Sequence, residues 1–182
     1  MPTTQVDTST ALRAAASAEF REHGYAGTDS NKIARRAGFA PQTFYRWYAD
    51  KADVFVAVYL AWEEEERAAL EALVARRARP RAFAEAIIAQ HRAHVLFRRS
   101  LRQLSVSEPR VRAARAESRT RQAERIRAWL ELPKRRAEAV YVALLQIERL
   151  ADAAAEGELS DLGLGDAAAS VAIAEIIERL RT

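Results

Sequence analysis

Apolar residues recur along this chain at steps of three and four rather than two, the spacing of helices with one buried face. Leu12 and Phe20 mark the inward face of a first helix that Ser9 or Thr10 can cap and that ends near His23-Gly24. Two short helices follow around Gly38. A fourth begins at Asp50, a good N-cap, and runs to about Arg77, with Glu63–Glu66 as a solvated face. Pro80 interrupts the pattern. Phe83, Ile87, His91, His94 and Leu101 then define a fifth helix over roughly Arg81–Leu104. Pro109 sits in the first turn of a short helix, and another runs to about Leu130. The last two cover roughly Lys134–Glu156 and Asp166–Arg181, separated by the loop Gly157–Gly165. No stretch alternates strictly enough for a strand. The fold class expected is all-α, with about nine helices: a flexible arm over 1–8, a three-helix unit over 9–50, and a helical bundle over 51–182.

The stretch from Gly24 to Phe55 carries the most specific local grammar. Ile33 and Ala37 are four apart and share one face of a helix over Ser30–Ala37, with small Ala34 where two helices must cross closely. Gly38 follows at the helix end, where a positive φ is common and cheap only for glycine. Phe39 turns back toward the core. Pro41 suits the first turn of a second helix because its missing N–H needs no partner there. Phe44 and Trp47 bury that helix's inner face, leaving Pro41, Gln42, Thr43 and Arg46 outside. Two short helices joined by a glycine turn can place the second in the DNA major groove. Gln pairs with adenine edges and Arg with guanine edges, which makes Pro41, Gln42 and Arg46 the candidate base readers. A helical hairpin of any α-protein would share the turn.

The same segment resembles the DNA-binding domain of the TetR family of one-component transcriptional repressors. The resemblance lies in the glycine–aromatic pair Gly24-Tyr25, in Thr28 opening the second helix, and in Ile33-Ala34-Arg35-Arg36-Ala37-Gly38. It continues through Thr43-Phe44-Tyr45, the aromatic Tyr48, and Lys51 with Asp53 and Val54, covering about the first 55 residues. It implies that Thr28, Thr43, Tyr45, Tyr48 and Lys51 touch phosphates, contacts that fix register and carry little sequence information. Two positions depart from the family pattern. Ser30 stands where an apolar residue is usual, and Gln42 where glycine is frequent.

Composition and charge are consistent with that resemblance. The chain has 182 residues, 49% of them hydrophobic, enough for two small helical subdomains with proper cores. With no cysteine there is no disulfide framework, thiol nucleophile or zinc–thiolate site. No long apolar run or signal-peptide pattern is present, so the expected location is the cytoplasm, with no membrane partner. A net charge of +4 and a pI near 9.7 modestly favour a polyanionic partner. The strongest basic block lies outside the reader: residues 92–136 hold fourteen Lys/Arg against four Asp/Glu, and 137–182 hold three against nine. A solvated arginine face is the simplest account; ion-pairing with the acidic C-terminal third and long-range attraction of an anionic ligand or of DNA are the alternatives.

The family resemblance also assigns the middle helices an effector pocket and the last two a role in a two-fold dimer. Candidate pocket residues are Tyr59, Trp62, Phe83, His91, His94, Phe97, Trp129 and Tyr141, any of which could equally be plain core. Candidate dimer residues are the stripes Val140, Leu144, Ile147, Ala151 and Ile173, Ile176, Ile177, Leu180, which could instead cover the chain's own core. His91 and His94 have no cysteine or third histidine nearby, so no metal and no cofactor is expected. No histidine follows a glutamate by three, and no nucleophile elbow, phosphate loop or redox motif occurs, so an enzyme is not expected. The expected function is a homodimeric repressor on a near-palindromic operator in double-stranded DNA, relieved by a small, largely apolar effector. The rival is a helix-turn-helix protein with degenerate DNA binding that serves as a ligand-binding or interaction module.

Overall fold

The computed structural model describes the backbone of residues 4–181 and the side chains of all of these except residues 4–7 and Asp166. Among the described residues there are ten α-helices and no strand, so the chain is all-α. They are α1 (Thr4–His23), α2 (Ser30–Arg36), α3 (Pro41–Phe44), α4 (Lys51–Ala75), α5 (Pro80–Ala93), α6 (Val95–Ser107), α7 (Pro109–Trp129), α8 (Ala137–Glu156), α9 (Glu158–Asp161) and α10 (Asp166–Arg181). One turn of 3-10 helix, Lys134–Arg136, precedes α8.

Several boundaries differ from the periodicity reading. Helix α1 opens at Thr4 rather than near Ser9, so it takes up part of the stretch expected to be an arm; residues 1–3 of that stretch lie outside the described residues. The expected fifth helix is two, broken at His94. There the Nδ1 of His94 lies 3.0 Å from the Gln90 carbonyl oxygen, and the backbone leaves the helical region at φ −132°, ψ 32°. The two halves serve different cores: α5 buries Ala84, Ile88 and His91 in one, α6 buries Phe97, Leu101 and Leu104 in another. The helix starting at Pro109 continues unbroken to Trp129. The Gly157–Gly165 loop contains the single turn α9, entered through Gly157 at φ +86°.

The chain packs as two compact units, one built from residues up to 63 with 96–115, the other from 64–95 with 116–182. The boundary expected at 50/51 instead falls inside the first unit. In that unit Leu12, Ala16 and Phe20 lie one turn apart on α1 and are fully buried. They meet Ile33 and Ala34 of α2, Phe44 of α3, Val54 and Phe55 of α4, and Phe97 and Leu101 of α6. Phe55 is the hub, with ring centroids 5.0 Å from Phe20, 5.4 Å from Tyr25 and 5.0 Å from Phe97. Each fully buried ring of this kind contributes about 1.5–3 kcal/mol by leaving water. In the second unit α5, α8 and α10 pack against one another through Ala84, Ala143, Ala151 and Ala169, small residues that admit close approach, with Ile88, Val140, Ile147 and Ile173 filling between them.

Candidate nucleic-acid interface and effector cavity

The α2–turn–α3 unit is built by side chains whose local roles are explicit. Asp29 caps α2 in extended conformation, its Oδ1 accepting from the Lys32 backbone N–H at 2.8 Å. That hydrogen bond holds the Asp29 carboxyl below its usual range. Arg35 and Arg36 occupy the last turn, where cations suit the helix dipole. Gly38 then takes φ +80° and donates to the Arg35 carbonyl at 3.0 Å, and Phe39 N–H donates to the Ala34 carbonyl at 2.9 Å. These two bonds satisfy carbonyls the helix end would leave bare. Ala40 is extended, as a residue before proline prefers, and Pro41 begins α3. The turn that follows keeps Tyr48 N–H on the Phe44 carbonyl at 3.0 Å.

Phe44 is fully buried, Trp47 half-buried against the same core, and Pro41, Gln42 and Arg46 are exposed. Among the described residues neither Gln42 nor Arg46 has a side-chain partner within the protein. Arg36 is different: it holds Glu22 through two bonds at 2.7 and 2.5 Å and Glu19 at 3.1 Å, tying α2 to α1.

The five residues expected at phosphates divide by exposure. Tyr45 is 59% exposed, and its hydroxyl lies 2.8 Å from the Ser30 Oγ. Ser30 thus bonds the first residue of α2 to the aromatic beyond α3, a use an apolar residue could not serve. Thr43 is half-buried. Thr28, Tyr48 and Lys51 are woven into the unit itself. Thr28 is buried, with no hydrogen-bond partner for its Oγ1 among the described residues. The Tyr48 hydroxyl donates to the Ser9 carbonyl at 3.3 Å. Lys51 Nζ donates to the carbonyls of Tyr25 at 2.9 Å and Thr28 at 2.8 Å and sits 4.0 Å from the centre of the Tyr25 ring. Burial draws the Lys51 ammonium below its usual pKa. One exposed cation beside the reader escaped the sequence reading: Arg35, without a described partner. Its place in the last turn of α2, next to Arg36, was the available signal.

The second unit encloses a cavity of about 480 Å³. Its walls come from Leu70 and Val74 of α4, Phe83 and Ile87 of α5, Ile126 and Trp129 of α7, Val140, Leu144 and Ile147 of α8, and Ile177 and Leu180 of α10. A volume within the 300–1,000 Å³ of ordinary ligand sites, mostly apolar, suits a small organic molecule. Of the eight expected pocket residues, Phe83 and Trp129 line it. Tyr59, Trp62 and Phe97 belong to the core of the first unit. Tyr141 is exposed on α8. His91 is buried, its Nδ1 2.9 Å from Asp152 Oδ1 and its Nε2 3.6 Å from Glu66 Oε1, so it joins three helices. His94 serves the helix break described above. No group of three or more His, Asp or Glu among the described residues is placed to hold a metal ion.

The eight expected dimer residues all lie in or against the second unit's own core, and five of them also line the cavity. The apolar surface left over on these helices is Tyr141, Val142 and Leu145 of α8 and Val171 of α10. Within the arginine-rich block, Arg119 of α7 pairs with Glu148 of α8 through bonds at 3.1 and 2.6 Å, one instance of pairing with the acidic C-terminal third.

An all-helical chain with a capped α2, a glycine turn and a proline-led α3 belongs to the class of helix-turn-helix proteins. Residues 12–58 match the model of the bacterial regulatory proteins of the tetR family, a match confined to the segment that holds α2, the glycine turn and α3. No curated protein matches the chain. Among solved structures it is similar to a transcriptional regulator from Rhodococcus sp. Rha1, with TM-score 0.74, 18% identity, and 95% of each chain covered. It is similar too to a bacterial regulatory protein in the tetR family from Rhodococcus RHA1, with TM-score 0.65 and 20% identity over 95% of this chain and 96% of that one. A third is the regulator FadR from Bacillus subtilis in complex with stearoyl-CoA, with TM-score 0.61 and 19% identity over 92% of this chain and 96% of that one. At such identities the likeness is one of fold. No helix among the described residues is long and apolar enough to cross a membrane.

Proposed function

We propose that this chain is a homodimeric repressor that binds a near-palindromic operator and is released by a small, largely apolar effector. The observation that carries the DNA half is the pair Gln42 and Arg46. Both are exposed on the outer face of the reader, and neither side chain is engaged among the described residues, while Phe44 beneath them is fully buried. Pro41, Gln42 and Arg46 would read base edges in the major groove. Tyr45 and Thr43, with Arg35 beside them, would hold phosphates. Thr28, Tyr48 and Lys51 would act there mainly by fixing the reader's shape.

A two-fold pair sets its two readers about 34 Å apart, one turn of duplex. The surface proposed for the second copy is the apolar stripe Tyr141, Val142, Leu145 with Val171, since the inward stripes are already spent on the core. The effector would occupy the cavity of the second unit, and a similarly folded FadR is known bound to stearoyl-CoA. Occupancy would favour a dimer in which the readers no longer match successive grooves, a population shift set by differential affinity. The test is fluorescence anisotropy with DNA from upstream of the chain's own gene, at low and physiological salt, against a scrambled competitor. Binding that survives competitor supports a sequence-specific regulator. Binding that vanishes in every sequence selected from a random library favours an interaction module instead.

A further inference from the structure

The cavity's lining contains two charged side chains and both are cations: Arg77, just past the end of α4, and Arg181, at the end of α10. No acidic side chain lines it. Both residues are exposed as well as lining the cavity, and among the described residues neither side chain has a hydrogen-bond or ion-pair partner. Arg77 also stands where its side chain is conformationally costly. Its φ is +52°, in the left-handed region, and the bonds Arg77 N–H to Val74 and Ala78 N–H to Leu73 close the helix there. Glycine is the inexpensive residue for such a position. An unpartnered arginine held in that conformation at the lip of an apolar cavity is the kind of strain that collects at ligand clamps.

We propose that the effector is an amphiphilic anion, its apolar body in the cavity and its carboxylate or phosphate group bound by Arg77 and Arg181. This rests on the cavity being the effector site and adds the class of ligand. The guanidinium fork presents paired N–H donors that match either oxyanion, and the charge-assisted bonds lie beside an apolar wall, where they are less weakened by water.

The test is calorimetric titration of the full-length protein with four probes sharing one twelve-carbon tail: tridecanoate, dodecyl phosphate, dodecan-1-ol and dodecyltrimethylammonium. The result expected is binding of at least one anion roughly tenfold tighter than the alcohol, about the worth of one charge-assisted bond. The cation should be weakest. In the double variant Arg77→Gly/Arg181→Ala the preference should fall to twofold or less with dodecanol binding unchanged. Because glycine relieves the left-handed backbone, the single variant Arg77→Gly should melt no lower than the parent, which separates lost recognition from lost folding. Tighter phosphate than carboxylate assigns a phosphate-bearing head; the reverse assigns a free acid. Alcohol binding equal to that of both anions overturns the anionic class and leaves the apolar cavity site standing. Failure of all four to bind overturns the effector site itself and this inference with it.

Discussion

The ammonium of Lys51 donates to the carbonyl oxygen of Thr28 at 2.8 Å, fastening the first turn of α4 to the loop that leads into α2. The same nitrogen reaches Tyr25 at 2.9 Å and lies over its ring. A lysine that resembles a phosphate contact in sequence is thus first a staple inside its own domain. Lys51→Ala should cost about 1 kcal/mol of stability, a modest figure for charge-assisted bonds at a half-buried site, and lower the melting temperature by roughly 2–4 °C. DNA affinity should fall equally on operator and random sequence. An unchanged melting temperature would refute the staple.

The Ser30–Tyr45 contact makes a separable prediction. Tyr45 is exposed, its hydroxyl lies 2.8 Å from the Ser30 Oγ, and its ring meets Phe44 edge-on at 5.3 Å. Tyr45→Phe should leave stability within about 0.5 kcal/mol, as surface changes usually do, and weaken binding to all DNA sequences alike. Ser30→Ala should show a smaller loss of the same kind. Sequence-dependent loss in either variant would make Tyr45 a base reader instead.

Acid should loosen the reader. The carboxyls of Asp29, capping α2, and of Asp50, bonded to Arg110 at 2.7 Å, are both held below the ordinary aspartate value of 3.8. Asp29 is lowered chiefly by the Lys32 backbone N–H, Asp50 chiefly by the Arg110 side chain. A depressed carboxyl stabilises the fold fully at pH above its unfolded value and loses that contribution as pH falls through the folded one. Chemical denaturation followed by circular dichroism should show stability level from pH 7 to about 5 and falling below about 4. In Asp29→Ala, which should cost about 1 kcal/mol at neutral pH, the acid slope should be shallower. An identical slope in that variant would remove Asp29 from the explanation.

Much of the reader was legible because its rules are local. Gly38 does take a positive φ, Pro41 does open α3, and Ile33, Ala34 and Phe44 are buried. Three- and four-residue spacing found which positions of α8 and α10 are apolar, but spacing cannot tell which of two apolar faces turns inward. The long stripes of α8 and α10 went to the core, and the shorter remainder stayed exposed. Nor could the break at His94 be read, since no glycine or proline marks it and the cause is that α5 and α6 serve separate cores. Cavity membership was legible least. Phe83 and Phe97 look alike in sequence, yet one lines the cavity and the other packs on Phe55, a distinction made by long-range packing.

The exposed stripe of α8 and α10 gives the dimer its own test. Val142 and Leu145 are 55% and 47% exposed, three residues apart on one face. The double variant Val142→Glu/Leu145→Glu should sediment as a monomer with its helical circular dichroism and melting profile retained, because neither residue is core. A variant that remains dimeric would place the second copy elsewhere.

The most direct measurement compares the parent protein with Arg46→Ala by anisotropy, on its best operator and on random DNA of equal length. The variant should lose roughly 1–3 kcal/mol on the operator and much less on random DNA if Arg46, exposed and without a side-chain partner among the described residues, reads a base as proposed. Equal loss on both would make Arg46 a phosphate contact. No sequence preference in the parent at any salt would contradict the reading of this chain as a sequence-specific regulator.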